Sequence, residues 1–321
     1  MMTTREAIQV LEDRMNASVI GQENVVSKFI VGLLADGNIL VEGFPGLAKT
    51  RAVRAMADAI ECTFSRIQFT SDLLPMDIMG SQEPYMEEGR KYYIFRRGPI
   101  FGNIILADEI NRTPAKVQSA MLEAMGERQV TVAGHTHELS KFFIVIATQN
   151  TLDQEGTFPL SEAQKDRFFM QVEISYVKVE AELEMIRLIQ EERYQEKTSQ
   201  EKISQETILA AQQEVTKVKF SDAIGHYIVD LVDATRYPMR YSKELAVMLD
   251  VGVSPRGSLA LSQCAQAHAW MKGRNEMTVE DVQTVIHDVF RHRLIRSADT
   301  RTNKITYDQI IDIILKKVPV P

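Results

Sequence analysis

The chain has 321 residues, of which 45% are hydrophobic and 25% charged, and its formal net charge is −7. This composition is typical of a soluble globular protein with room for two hydrophobic cores, and it argues against disorder. The negative net charge argues against nonspecific affinity for nucleic-acid backbones, although it leaves a local basic groove open. No apolar run approaches the roughly 20 residues that cross a bilayer, so we expect a cytoplasmic protein without membrane insertion.

The first half of the chain repeats one pattern, in which a short apolar run rich in β-forming residues is followed by a loop and a helical segment. The runs are 38–43, 64–69, 103–108, 142–148 and 167–172. Several are apolar on both faces, as buried parallel strands are. The pattern predicts an α/β fold, with a five-stranded parallel sheet between helices. Residues 82–98 and 128–139 have a glycine turn between strand-like arms and are predicted to be β-hairpin insertions.

The pattern changes after Tyr176, where apolar residues recur with helical spacing. A polar stretch at 194–206 is interpreted as a solvated helix end and loop. We therefore place a domain boundary near residue 177. The prediction is an α/β domain at 1–177 and an all-α domain at 178–321.

The loop GFPGLAKT, residues 43–50, lies between the first predicted strand and a helix. Backbone N–H groups of residues 45–50 can there converge on a phosphate at a helix N-terminus. The loop departs from the common phosphate-binding pattern at Ala48, where a third glycine is usual, so a simple glycine-rich turn is the alternative. In the functional interpretation, Lys49 neutralises phosphate oxygens and the Thr50 hydroxyl binds Mg²⁺.

Polar residues also follow two other predicted strands. Asp108 and Glu109 come directly after a buried run, at the edge where α/β sheets bind their ligands. Asp108 can bind Mg²⁺ and Glu109 can polarise an attacking water, whereas two solvated acids at a strand end are the alternative. Asn150 ends a neighbouring strand and can orient water or contact the γ-phosphate, or it is a turn residue. Together with the loop, these residues predict nucleoside-triphosphate hydrolysis.

Longer runs extend these motifs over most of the chain between residues 19 and 261. They are VIGQE, GFPGLAKT, FRRGPIFGNIILADEINRTPAKVQSAMLEAM, ERQVTV, FFIVIATQN, QEGTFPLSEAQKDRF and SPRGSLAL. In content and order they resemble the MoxR family of AAA+ ATPases, which commonly has alanine at the position of Ala48. The chain departs from the family at Thr151 and Ser161, where proline is usual; neither is an expected nucleotide ligand.

The resemblance implies a role for each matching residue. Lys49 and Thr50 would form the Walker A pair, and Asp108 and Glu109 the Walker B pair. The first sensor, the arginine finger and the second sensor would be Asn150, Arg167 and Arg256. The remaining nucleotide contacts that it implies are Ile20 and Gly21 at the adenine, and Gly43, Pro45, Gly46, Leu47 and Ala48 in the loop. From the residues alone, Arg167 also fits a surface charge at a strand end. A cation at the position of Arg256 opposes the helix dipole, which favours a functional role.

The resemblance also implies an AAA+ fold, with a P-loop sheet covered by helices on both faces and then an all-α lid. ATP and Mg²⁺ would be the cofactors, and the protein would form a homo-oligomeric ring, a hexamer. Its implied role is chaperone-like remodelling or maturation of a protein partner that carries a von Willebrand factor A domain.

Two other functions stay open. A nucleic-acid-dependent motor would need a basic track, for which the insertions offer only GRK and FRRG. An ATP-binding scaffold with little turnover would need a missing Glu109, Asn150 or Arg167, and all three are present.

Overall fold

The computed structural model describes residues 2–44, 49–88, 90–150, 156–192 and 201–321. The strands in these ranges are β1 Ile39–Gly43, β2 Phe64–Gln68, β3 Gly80–Glu87, β4 Arg90–Arg97, β5 Ile104–Asp108, β6 Gln129–Val132, β7 His135–Glu138, β8 Ile144–Asn150, β9 Met170–Ile174, β10 Leu249–Val251 and β11 Ile295–Arg296. The α-helices are α1 Thr4–Ser18, α2 Glu23–Leu34, α3 Lys49–Ala59, α4 Pro75–Met79, α5 Ala115–Glu127, α6 Glu162–Lys165, α7 Val179–Glu192, α8 Gln205–Val215, α9 Asp222–Arg236, α10 Lys243–Ala246, α11 Pro255–Met271, α12 Val279–Phe290, α13 Ala298–Thr302 and α14 Tyr307–Lys317.

Five strands form one parallel sheet in the order β2-β5-β8-β1-β9. They are the five runs predicted from the sequence, so the predicted α/β class is confirmed. Strand β5 is buried along its whole length, because helices cover both faces of the sheet. One hydrophobic cluster joins α1, α2 and α3 to one face, and a second cluster joins α5 to the other.

Both predicted insertions are antiparallel hairpins. Strands β3 and β4 form the first, and β6 and β7 form the second. Tyr85 lies opposite Tyr92 with ring centroids 5.4 Å apart, which is the cross-strand packing expected of such a pair. The hairpins also contact each other, because His137 stacks on Phe95 with ring centroids 4.0 Å apart.

The chain beyond β9 is helical, as predicted, with one added feature. Strands β10 and β11 pair as a short antiparallel ribbon, too short to produce a period-2 pattern in the sequence. The main hydrophobic cluster continues from the sheet into the C-terminal helices. The division into residues 1–177 and 178–321 therefore stays a prediction.

The segment at 201–206 differs from the predicted solvated loop. Ile203 is buried, its N–H donates to the Ala59 carbonyl at 2.9 Å, and its carbonyl accepts from the Glu61 N–H at 2.8 Å. The hydrophilic composition of 194–206 concealed this one apolar anchor, and the rest of the stretch up to residue 200 lies outside the described residues. Within the described ranges, no helix combines the length and the apolar character needed to cross a membrane.

A buried carboxylate in the C-terminal helices carries a prediction about stability. Asp281 is 0% exposed and accepts hydrogen bonds from Arg274, His268 and the N–H and hydroxyl of Thr278. Burial raises the pKa of Asp281, but the bonds from Arg274, Thr278 and His268 outweigh it and lower that pKa from 3.8 to about 2. The shift stabilises the fold by about 2 kcal/mol at neutral pH.

We expect Asp281→Asn to lower the free energy of unfolding by at least about 2 kcal/mol at pH 7, because it leaves Arg274 without its anionic partner. The unfolded carboxyl titrates near 3.8 and the folded one near 2, so the gap to the parent should shrink as pH falls through that window. Denaturant unfolding at several pH values measures it. Asp312→Asn, which removes an exposed partner of His287, is the control and should change little. A constant gap down to pH 2 would contradict the prediction.

Candidate active site

The parallel register brings the carboxyl ends of four strands to one edge of the sheet. Gly43 at the end of β1 is level with Asn150 at the end of β8, and Gln68 at the end of β2 is level with Asp108 at the end of β5. Strand β5 pairs directly with β8. Polar residues that are far apart in the sequence therefore meet at the edge where ligands bind in sheets of this class.

Lys49, Asn150 and Glu109 form a continuous hydrogen-bonded chain. The Lys49 Nζ lies 2.8 Å from the Gly43 carbonyl and 2.9 Å from Asn150 Oδ1, and Asn150 Nδ2 donates to Glu109 Oε1 at 2.8 Å. An ammonium group can only donate and a carboxylate can only accept, so its neighbours dictate the orientation of the Asn150 amide. Burial lowers the pKa of Lys49, and the charges of Asp108, Glu109 and Glu42 oppose this.

Glu109 is held in an unusual backbone conformation, with φ 59° and ψ 50°. A residue other than glycine in this left-handed region costs about 1–2 kcal/mol, so surrounding contacts must stabilise it. The Glu109 N–H donates to Thr148 Oγ1 at 2.9 Å, and Glu109 Oε2 lies 3.1 Å from Arg112 Nε and 3.2 Å from Gln68 Nε2. The strained turn thus fixes the carboxylate among three donors at the sheet edge, namely Asn150, Arg112 and Gln68.

Asp108 is buried, and both of its oxygens are hydrogen-bonded. Oδ1 accepts from the Thr148 hydroxyl at 2.7 Å, and Oδ2 accepts from Arg66 Nη2 at 2.6 Å and Nε at 3.1 Å. The Arg66 guanidinium supplies positive charge at the oxygen that faces away from Thr148. A divalent cation placed at Oδ2 would therefore compete with Arg66.

The donor set fits Mg²⁺ better than a metal held by the protein alone. Among the described residues, no cluster of three or more His, Cys, Asp or Glu side chains is arranged to hold a metal ion. Mg²⁺ in phosphate-transfer sites is typically bound by one or two protein oxygens, with phosphate oxygens and water as the other ligands. Asp108 and Thr50, the second residue of α3, are oxygen donors of this kind.

Sequence reasoning missed three contacts of this site, namely Arg66, Gln68 and Thr148. Arg66 and Gln68 are two residues apart and lie on the same face of β2, and Thr148 precedes Asn150 by two residues on β8. The signal was present, because polar residues near the ends of otherwise apolar parallel strands indicate a ligand edge. Their partners depend on strand order, which the sequence did not reveal.

The predicted adenine contacts Ile20 and Gly21 lie beside α7. Gly21 has φ +74°, and a Cβ there would lie 2.6 Å from the Cβ of Ala181, so a side chain is excluded at this position. A side chain is excluded at Gly43 as well, because a Cβ there would lie 2.6 Å from the Ile174 carbonyl oxygen. The loop residues Pro45, Gly46, Leu47 and Ala48 lie outside the described residues.

Arg167 and Arg256 are not brought to this edge by the contacts of the described chain. Arg167 precedes β9, at the end of the sheet opposite to Lys49, since Phe169 pairs with Asn38 just before β1. The length of β1, at about 3.3 Å per residue, puts roughly 13 Å between the two ends. Arg167 Nη1 donates instead to the Leu122 carbonyl of α5 at 2.9 Å. Arg256 is exposed in the first turn of α11.

Comparisons with known proteins agree with this architecture. Residues 38–170 match the model of the ATPase family associated with various cellular activities, and residues 243–314 match the AAA lid domain. A crystal structure of a candidate ATPase from Cytophaga hutchinsonii superposes with a TM-score of 0.90 at 39% identity, covering 99% of this chain and 96% of that one.

Curated relatives are similar over nearly the whole chain. Chaperone MoxR1 of Mycobacterium tuberculosis is 40% identical over 305 residues, which is 94% of this chain and 79% of that protein. The uncharacterized protein YeaC of Bacillus subtilis is 40% identical over 310 residues, with coverage of 96% and 93%. Protein MoxR of Paracoccus denitrificans is 29% identical over 330 residues, with coverage of 97% and 95%.

The parallel sheet with its polar carboxyl edge and the helical C-terminal part define the AAA+ class of ATPases. Within that class, the chain belongs to the MoxR family, as the resemblance of its motifs predicted.

Proposed function

We propose that this protein hydrolyses ATP and uses the reaction to remodel or mature a partner protein complex in the cytoplasm. The observation that carries the hydrolysis proposal is the chain from Lys49 through Asn150 to Glu109, with Asp108 beside it. Phosphoryl transfer to water requires a cation that binds the phosphates, and it requires polar groups such as an amide and a carboxylate that orient and activate the water. Membership of the AAA+ ATPases and the family's chaperone-named relative support the same proposal.

Each residue at the carboxyl edge of the sheet has a proposed role in the reaction. Lys49 exchanges the Gly43 and Asn150 oxygens for phosphate oxygens, with the backbone of residues 45–48 in the cradle. Thr50 and Asp108 hold Mg²⁺, which neutralises charge on the phosphates when bound. Glu109 accepts a proton from the attacking water, and Asn150 keeps the carboxylate and the water in line.

Two arginines that lie away from this edge of the sheet complete the proposed mechanism. Arg256 reaches the nucleotide from the lid of the same subunit, and Ile20 and Gly21 line the adenine. Arg167 acts on the neighbour's nucleotide in a homo-oligomeric ring, a hexamer. The opposite placement of Arg167 and Lys49 supports action between subunits, because one chain cannot present both to one phosphate.

The proposal that this protein remodels a partner protein is supported by one relative, which is named as a chaperone. A partner with a von Willebrand factor A domain rests on the family resemblance. A pull-down with a Glu109→Gln variant, which would hold ATP and its partner together, tests this part. Recovery of nucleic acid with no protein partner would instead favour a nucleic-acid motor.

Lys49→Ala is the test of the phosphate cradle. We expect a loss of ATP affinity of tenfold or more, because a buried point charge on the phosphates is removed from the ground state as well as the transition state. Calorimetry with ATP and Mg²⁺ measures it, and phosphate release should fall in parallel. The control is Lys116→Ala, which removes an exposed lysine of α5. Unchanged affinity in Lys49→Ala would show that the loop at 43–50 does not bind the phosphates.

A further inference from the structure

Asp166, the residue before Arg167, connects this segment to the C-terminal helices. Its carboxylate accepts hydrogen bonds from the Ser254 hydroxyl at 2.8 and 2.9 Å and from Arg293 Nε at 2.9 Å. Ser254 is the residue before α11 and lies two positions before Arg256. One carboxylate therefore joins the segment of the proposed finger to the segment of the proposed second sensor.

Arg293 strengthens this connection through the backbone. Its guanidinium donates to the carbonyls of Asp166, Phe168 and Phe169, and also to Val289 in α12. The side chain of Arg293 is only 2% exposed, and its single ion-pair partner among the described residues is Asp166. A buried guanidinium that loses its carboxylate is left uncompensated, which typically costs several kcal/mol. The contact should consequently persist when the helices shift, and Asp166 should move with them.

The side chain of Arg167 is held from a different direction. Its guanidinium donates to the Leu122 carbonyl of α5. Gly126 leaves room for it, since a Cβ there would lie 3.1 Å from Arg167 Nη1. The carbonyls of Asp166 and Phe168, on either side of Arg167, are thus bonded to Arg293, whereas the Arg167 guanidinium rests on α5.

We propose that Asp166 is a positioning residue for Arg167, and that it transmits the position of the lid in one subunit to the arginine offered to the next. The inference rests on the proposed function, in which Arg167 works between subunits. Movement of Ser254 as Arg256 engages ATP would shift Asp166 and, with it, the adjoining Arg167. Nucleotide binding in one subunit would then set the hydrolysis rate in its neighbour.

Asp166→Asn and Ser254→Ala test the connection. Both should bind ATP like the parent, and Asp166→Asn should lower turnover by about 10², the effect of displacing a catalytic group by roughly 1 Å. Ser254→Ala keeps the ion pair and should lose less, so it carries the test if Asp166→Asn is unstable. The control is Asp233→Asn, which removes a carboxylate bonded to Arg240 and Tyr241 elsewhere in the C-terminal helices.

Mixed oligomers separate positioning from general damage. An Asp166→Asn subunit retains a good pocket, so mixing it with Glu109→Gln subunits, which bind ATP and retain a good finger, should restore turnover. Mixing it with Arg167→Ala subunits should restore none. Parent-like turnover of both variants alone, or no recovery with Glu109→Gln although co-purification shows mixed oligomers, would overturn the inference. If Arg167→Ala also fails to recover with Glu109→Gln, the finger itself is refuted; if that pair recovers, only the role of Asp166 fails.

Discussion

Glu109→Gln is expected to keep ATP affinity near that of the parent and to lower turnover by about two orders of magnitude or more, the usual scale for loss of a general base. Glutamine has the same shape and keeps one acceptor for the Asn150 amide, which donates to Glu109 Oε1 at 2.8 Å. It cannot take a proton from water. The change therefore removes the chemistry and keeps the contact with Asn150, while the contacts of Oε2 with Arg112 and Gln68 are lost.

Two measurements on the same preparation decide this prediction. Calorimetry gives ATP affinity, and single-turnover phosphate release gives the chemical rate. Glu83→Gln is the matched control, because Glu83 is also a carboxylate paired with an arginine, Arg96, but lies in the first hairpin. Near-parental turnover in Glu109→Gln would exclude Glu109 as the base. A large loss of ATP affinity would instead make it a binding residue, and the strain at its backbone would need another explanation.

The fold was predictable because its strands carry a strong signal. A strand buried on both faces must be apolar where it is buried, and β1, β5 and β8 are apolar up to their polar carboxyl ends. The hairpins were predictable for a different reason, since each needs a tight turn rich in glycine. The ribbon of β10 and β11 and the anchor at Ile203 were not predictable, because each depends on two or three residues whose partners are distant in the sequence.

Part of the candidate site was likewise predictable from the sequence, and part was not. Lys49, Asp108, Glu109 and Asn150 stand directly at strand ends or at a helix start, so local patterns identify them. Arg66 does not, because it lies within β2 and reaches Asp108 only after β2 and β5 pair. Asp166 has no local signal either, because its partners Ser254 and Arg293 are 88 and 127 residues away in the sequence.

The placement of Arg167 leads to the prediction with the largest expected effect. Arg167→Ala should bind ATP normally and hydrolyse it about 10³–10⁵ times more slowly, the range known for arginine fingers. The reason is that a guanidinium stabilises the charge that develops on the γ-phosphoryl oxygens in the transition state and contributes little to the ground state. Its removal should therefore lower turnover and leave binding intact, in contrast to Lys49→Ala.

If Arg167 acts between subunits, a second result is expected of the Arg167→Ala variant. Arg167→Ala subunits have a good pocket, and Glu109→Gln subunits bind ATP and have a good finger, so mixing the two inactive proteins should restore some turnover at interfaces where the two meet. Phosphate release across mixing ratios measures this, with differently tagged subunits to establish that mixed oligomers form. Each variant mixed with itself is the control. If mixed oligomers form and no ratio restores turnover, or if Arg167→Ala alone matches the parent, Arg167 is a surface charge at a strand end. The finger would then be sought at Arg112, whose Nε already lies 3.1 Å from Glu109 Oε2 in the same chain.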